Sequence, residues 1–181
     1  MGNGKGSNDM KKLFFIMGLE SSGSALVANI IGHVLNVIEF NQEEWGGKCW
    51  GGKSIIKKES LTLIHRSLPY HRPQKWVDLN DVIREYHDHE RFFILTTRDQ
   101  RITELSKVRR FGGNMKSAAE DSIKAAKIIT TVLKSQEKSL IWSYETFMLL
   151  GLDYLKILYN FIGVSSKYIP KLRDANPNYL K

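Results

Sequence analysis

Hydrophobic positions along the chain fall into short continuous runs that are separated by longer stretches of mixed character. A short apolar run bounded by polar residues predicts a buried strand, and apolar positions recurring every three or four residues predict a helix. The predicted strands are residues 12–17, 61–65, 92–97 and 139–143. The predicted helices are residues 24–37, 79–86, 102–110, 116–133 and 153–161. Strand and helix therefore alternate along the chain.

This alternation predicts an α/β fold. Because a helix-sized connection separates each strand from the next, the strands are expected to pair in parallel. We expect a three-layer α/β/α domain of the P-loop NTPase-like kind, with a mainly parallel central sheet of four to five strands. Residues 1–10 are predicted to be a flexible tail and residues 11–181 a single domain. Residues 41–58 show no period and are predicted to be a binding loop.

Composition narrows the choice of partners. The chain has 181 residues, of which 42% are hydrophobic, which suits one domain with a real core. A net charge of +8 suggests an anionic ligand, but the basic residues are scattered, so nucleic acid is not expected as a partner. Cys49 is the single cysteine, which excludes an internal disulfide. With no apolar run of membrane-spanning length and no signal-peptide pattern, we expect a cytoplasmic protein without a membrane span.

The first candidate site is the loop between the first predicted strand and helix. An apolar run stops at Gly18, small hydroxyl residues follow, and a helical pattern begins at Ser24. Glycines let the backbone approach a phosphate, and the first N–H groups of a helix point at it. In the nucleoside-triphosphatase pattern a lysine stands at the position of Ser24. The sequence thus predicts a phosphate-binding loop without that lysine.

The second candidate site follows the clearest predicted strand. Arg98 leaves its carboxyl end, where open α/β sheets bind ligands, and Ser106 lies eight residues further on. Eight residues are about two helical turns, so both side chains can face one ligand. A guanidinium and a hydroxyl together suit a phosphate. The alternative is that Arg98 only pairs with Asp99 or another nearby carboxylate.

Four segments, in this order, resemble the sulfotransferase family. Residues 18–24 are similar to its pattern G-x-x-[RK]-[ST]-G-[ST]. Residues 98–100 with Ser106 are similar to R-D-P-x-x-x-x-x-S in spacing. Residues 140–147 resemble its V-x-Y-E-D-L strand end, and residues 158–164 resemble its L-x-x-F-L-G-V helix end.

The resemblance covers residues 12–164 and implies a donor substrate, 3′-phosphoadenosine 5′-phosphosulfate. It assigns the 5′-phosphosulfate to Gly18, Ser21, Ser22, Gly23 and Ser24. It assigns the 3′-phosphate to Arg98 and Ser106. The implied activity is transfer of a sulfuryl group to a hydroxyl or amine acceptor that the sequence does not identify. Two other functions stay open, a P-loop phosphotransferase that uses ATP and a non-catalytic nucleotide-binding module.

Two departures from the family pattern concern Ser21 and Gln100. Ser21 replaces the basic residue of the loop, and Gln100 replaces a proline that only fixes a turn. The lost cation would have neutralised charge that develops as the sulfuryl group transfers. We expect Arg66, which follows the second predicted strand, to supply that charge. Lys48 and Lys53 are the alternatives.

Sulfuryl transfer also needs a base for the acceptor. By resemblance to one branch of the family the candidates are Glu43 and Glu44, and by resemblance to another branch the candidate is His65. Glu20 lies inside the loop, where a carboxylate would repel the donor, so it is predicted to be structural.

Histidines could also suggest a metal site. His71, His87 and His89 are the relevant residues, but a polar helix end explains the pair flanking Asp88 better than a metal does. No metal is expected.

Overall fold

The computed structural model describes residues 10–37, 55–70, 75–171 and 174–179. Within them the chain is α/β, with five strands and six α-helices. The strands are β1 (Lys11–Leu19), β2 (Ile55–Lys58), β3 (Leu61–Leu68), β4 (His89–Thr97) and β5 (Lys138–Ser143). The helices are α1 (Ser24–Val34), α2 (Leu79–Glu85), α3 (Gln100–Phe111), α4 (Met115–Lys134), α5 (Tyr144–Leu150) and α6 (Leu152–Ile162), and a 3₁₀ helix spans Asn176–Asn178.

The five strands form one mostly parallel sheet in the order β2-β3-β1-β4-β5. Central β1 pairs in parallel with β3 on one side and with β4 on the other, and β5 extends the sheet beyond β4. The chain leaves β1 toward β3 but leaves β4 toward β5. The connections therefore diverge between β1 and β4, and a crevice at the carboxyl ends of such strands is where open α/β sheets bind ligands.

Helices cover both faces of this sheet. Phe14 and Ile16 of β1 lie in a core with α1, α5 and α6. Phe15 and Met17 point the other way, into a second core with α2 and α4. Since both faces are buried, β1 appears in the sequence as a continuous apolar run rather than an alternating one. The arrangement is compatible with the expected three layers.

Two elements correct the sequence-based prediction. Residues 41–58 were expected to be irregular, but their last four residues form β2, which pairs antiparallel with β3. Helix α5 was not predicted, because it follows β5 with no intervening turn residue. Ser143 starts it by accepting a hydrogen bond from the backbone N–H of Thr146 at 3.2 Å. Among the described residues we find no helix with the length and apolar character that crossing a bilayer requires.

Candidate functional site

Residues 18–24, the 18–24 loop, turn sharply between β1 and α1. Ser21 has φ 72° and Gly23 has φ 91°, so two residues of the loop adopt left-handed conformations. The N–H of Ser22 donates to the carbonyl of Leu19 at 2.9 Å and closes the turn. No described side chain caps the N-terminus of α1. Its first N–H groups are therefore free of side-chain acceptors from the described residues, which suits an anion.

The hydroxyl groups of the loop are tied to neighbouring strands. Ser22 Oγ lies 2.7 Å from Thr96 Oγ1 of β4, and both residues are buried. Ser24 Oγ lies 2.9 Å from His65 Nε2 of β3. The hydroxyl of Ser22 thus fastens the loop to the sheet. Both the hydroxyl and the backbone N–H of Ser22 therefore have partners within the protein.

His65 is a sequence-predicted site residue that the structure brings to the loop. Burial, together with a smaller effect of the nearby positive charge of Arg66, lowers the pKa of its imidazole to about 4. The ring is therefore neutral at neutral pH, and its Nε2 can exchange a hydrogen bond with Ser24 in either direction.

This shift predicts how stability depends on pH. Because the folded pKa lies below the unfolded value of 6.5, the unfolded chain binds the proton more readily, and stability must fall as pH falls from 6.5 to about 4. We expect His65→Gln to remove this pH dependence, which changes the free energy of unfolding by up to ~3 kcal/mol between pH 6.5 and about 4. Urea denaturation of both proteins at several pH values measures it. Parallel curves for the two proteins would contradict the assignment.

Arg98 lies where the strand order diverges. Its Nη1 donates to the carbonyl of Ser21 at 3.0 Å, and its Nε donates to Asn176 Oδ1 at 2.8 Å. The guanidinium lies over the ring of Tyr144, 4.6 Å from the ring centre. Its Nη2 is buried and has no hydrogen-bond partner among the described residues. The alternative pairing with Asp99 is not seen, since that carboxylate caps α3 by accepting from the N–H of Ile102.

Ser106 of α3 is also buried, and its hydroxyl donates to the Tyr179 hydroxyl at 3.0 Å. The ring of Tyr179 in turn lies 5.7 Å from the guanidinium of Arg98. The two residues predicted to share one phosphate thus meet around one tyrosine. Sequence reasoning missed Tyr179 and Asn176. Two asparagines and a tyrosine beside Pro177 were visible as a turn-like cluster, but nothing in them indicated contact with Arg98 or Ser106, which are far away in the sequence.

Glu20 is paired with a cation from α3. Lys107 of α3 forms ion pairs with Asp121 and, at 3.5 Å, with Glu20 Oε2. Burial raises the pKa of the Glu20 carboxyl, while the Lys107 ammonium opposes that rise. These contacts agree with the structural role that the sequence predicted for Glu20.

Arg66 does not reach the 18–24 loop, and this expectation is corrected. Successive residues of a strand point to opposite faces, so His65 faces Ser24 while Arg66 faces α2. Its Nη1 donates to the carbonyl of His65, and its guanidinium lies 5.0 Å from the ring centre of Tyr70. There it lines a cavity of about 230 Å³ on the second core's side of the sheet, together with Tyr86.

A different arginine contacts the loop. Nη1 of Arg110, in the last turn of α3, donates to Ser21 Oγ at 3.3 Å. Sequence reasoning missed this residue because the two positions are 89 apart in the chain. One arginine thus contacts the side chain of Ser21 while Arg98 contacts its carbonyl oxygen.

Some of the candidate site residues that the sequence suggested lie outside the described residues. They are Glu43, Glu44, Lys48, Lys53 and His71. His89 contacts Asp88 at 2.6 Å, and His87 lies near the carbonyl of Arg84. No group of three or more His, Cys, Asp or Glu side chains within the described ranges could hold a metal ion.

The residues that the structure gathers lie at the carboxyl ends of β1, β3 and β4, beside the N-terminus of α1. Comparisons of the chain with protein-family models, with curated proteins and with solved structures found no match in any of the three. A function for this site therefore has to be inferred from its residues and their geometry.

Proposed function

We propose that this protein is a sulfotransferase with a P-loop-like donor site. It moves a sulfuryl group from 3′-phosphoadenosine 5′-phosphosulfate to a hydroxyl or amine acceptor. The backbone of the 18–24 loop and the N-terminus of α1 bind the 5′-phosphosulfate. Arg98 and Ser106 bind the 3′-phosphate. The acceptor and the cytoplasmic location stay predictions.

One observation carries this proposal, the unpartnered Nη2 of Arg98. A buried guanidinium nitrogen without an acceptor is unfavourable, because it has lost its hydrogen bonds to water without gaining another acceptor. A phosphate oxygen would satisfy it with a charge-assisted hydrogen bond. The hydroxyl of Ser106, which lies beside Tyr179 as Arg98 does, would supply a second donor to the same phosphate by exchanging its bond to Tyr179 for one to a phosphate oxygen.

The proposed reaction is an in-line displacement at sulfur. The acceptor oxygen or nitrogen forms a bond to sulfur while the bond between sulfur and the bridging oxygen breaks. The electron pair of the broken bond stays on the 5′-phosphate, which leaves as 3′-phosphoadenosine 5′-phosphate. The acceptor proton passes to a base, for which Glu43, Glu44 and His65 are the candidates. The other product is a sulfate ester or a sulfamate.

Two alternatives make different predictions about the nucleotide. A phosphotransferase would prefer ATP, yet the loop lacks its lysine, and β4 ends at Thr97 with Arg98 following. A non-catalytic module would bind the 3′-phosphorylated nucleotide but would not turn the donor over. Transfer of labelled sulfate from the donor to added hydroxyl and amine acceptors would distinguish an enzyme from a non-catalytic module.

Arg98→Ala tests the donor assignment. It should weaken binding of 3′-phosphoadenosine 5′-phosphate by about 10- to 100-fold, the value of one charged hydrogen bond, and leave ADP binding nearly unchanged. Ser106→Ala should act in the same direction by a smaller factor, since a neutral hydrogen bond is weaker. Isothermal titration calorimetry with the two nucleotides measures both variants.

The matched control is Arg84→Ala, which removes a positive charge from an exposed position on α2. It should bind both nucleotides as the unchanged protein does. An equal loss of ADP and of the 3′-phosphorylated nucleotide in Arg98→Ala would mean that Arg98 only supports the loop, and the donor assignment would fall.

A further inference from the structure

The 18–24 loop has a serine at the position where the resemblance expects a basic residue, and that serine touches a cation from another element. Ser21 Oγ accepts a hydrogen bond from Arg110 Nη1 at 3.3 Å. Residues three apart on a helix lie on one face, and both Lys107 and Arg110 point from α3 to the loop. Lys107 reaches Glu20, and Arg110 reaches Ser21.

Within the part of the chain that the structure describes, the other cations considered for the loop already have partners or face away from it. Lys107 is buried between two carboxylates, Glu20 and Asp121, so its charge is balanced inside the protein. Arg98 holds the carbonyl of Ser21 and the side chain of Asn176. Arg66 faces the opposite side of the sheet.

Arg110 differs from these residues in charge balance and exposure. No carboxylate within residues 10–37, 55–70, 75–171 and 174–179 forms an ion pair with it, and its side chain is exposed. Its guanidinium otherwise lies 4.9 Å from the ring centre of the adjacent Phe111. An exposed cation with a long flexible stem can turn onto a bound anion at little cost in desolvation.

We propose that Arg110 supplies the positive charge that the 18–24 loop lacks, by contacting the 5′-phosphate end of the donor. The inference rests on the proposed function and adds to it a residue from α3. A guanidinium can donate two parallel hydrogen bonds to phosphate oxygens. In that position it neutralises the charge that gathers on the 5′-phosphate as the bond to sulfur breaks. The proposal thus places the cation on α3, beside the loop, instead of in the loop itself.

Affinities for two nucleotides that differ only at the 5′ position test the inference. Arg110→Ala should weaken binding of 3′-phosphoadenosine 5′-phosphate by about tenfold or more, because one charged hydrogen bond is lost. It should leave binding of 3′-AMP, which has no 5′-phosphate, unchanged. The double variant Ser21→Lys with Arg110→Ala returns the cation to the loop and should recover most of the lost affinity. Arg84→Ala, an exposed arginine on α2, is the control for net charge.

The outcomes separate this inference from the proposed function. If the unchanged protein binds the bisphosphate, Arg98→Ala weakens it and Arg110→Ala does not, the inference is overturned and the proposed function stands. If Arg110→Ala weakens 3′-AMP as much as the bisphosphate, Arg110 has no specific role at the 5′ end and the inference is again overturned. If the unchanged protein binds neither nucleotide, both fall together.

Discussion

Replacing Gly18 with alanine should destabilise the protein by ~3 kcal/mol and abolish the proposed nucleotide binding. Gly18 pairs with Thr96 of β4 at the end of β1. A Cβ there would lie 2.1 Å from Thr96 Oγ1, 2.4 Å from the Thr96 carbonyl oxygen and 2.5 Å from Ser22 Oγ. The carbonyl oxygen belongs to the backbone of a central strand, so it cannot rotate away. Either β1 and β4 separate or the 18–24 loop shifts, and both change the proposed phosphate site.

The control for this variant is Gly163→Ala. Gly163 has φ 77°, and no atom lies within 4 Å of an added Cβ, so alanine there costs only conformational energy, about 1 kcal/mol. Urea denaturation compares the free energies of unfolding, and calorimetry with 3′-phosphoadenosine 5′-phosphate compares binding. If Gly18→Ala cost no more than Gly163→Ala, the close approach of the loop to β4 would be refuted.

Replacing Lys107 with methionine should destabilise the protein by about 3–5 kcal/mol at pH 7, because it leaves two largely buried carboxylates without their cation. The side chains of Lys107, Glu20 and Asp121 are 9%, 21% and 15% exposed. Methionine has a similar length, so the loss reflects charge more than volume. Thermal or urea unfolding measures it.

The pH dependence of the Lys107→Met effect identifies its cause. Burial raises the pKa of Glu20 above its ordinary value of 4.5, and loss of the ammonium raises it further. A group with a raised folded pKa stabilises the fold as it takes up its proton, so the deficit of Lys107→Met should shrink as pH falls toward 4.5. Lys156→Met, which breaks an exposed ion pair with Asp153 on α6, should cost less than about 1 kcal/mol. A deficit as small as that of Lys156→Met would contradict the buried ion cluster.

Helix α3 thus contributes three residues to the candidate site. Ser106 faces the residues assigned to the 3′-phosphate, Lys107 holds the carboxylate of Glu20, and Arg110 reaches Ser21. Because only Arg98 and Asp99 separate β4 from α3, any movement of the helix would displace all three contacts and Arg98 with them. For variants that destabilise α3, the free energy of unfolding and the nucleotide affinity should therefore be measured in separate experiments.

The sequence by itself determined the elements whose signals are local. The apolar runs of β1 and β4 show as strands because both of their faces are buried. The amphipathic period of α4 marks it as a helix packed on one side. The glycine-bounded turn at residues 18–24 and the position of Arg98 at a strand end are likewise visible in the order of residues. These features depend on near neighbours along the chain.

Only the tertiary structure decided which distant side chains meet. The strand period puts His65 and Arg66 on opposite faces, but the position of α1 decides that the histidine is the one beside the loop. The contacts of Tyr179 with Ser106 and of Arg110 with Ser21 span 73 and 89 residues, and no local pattern records them. The sequence shows a serine at position 21 of the loop. The contact of Arg110 with that serine, on which the proposed role of Arg110 rests, is found only where α3 packs beside the loop, because packing rather than periodicity fixes it.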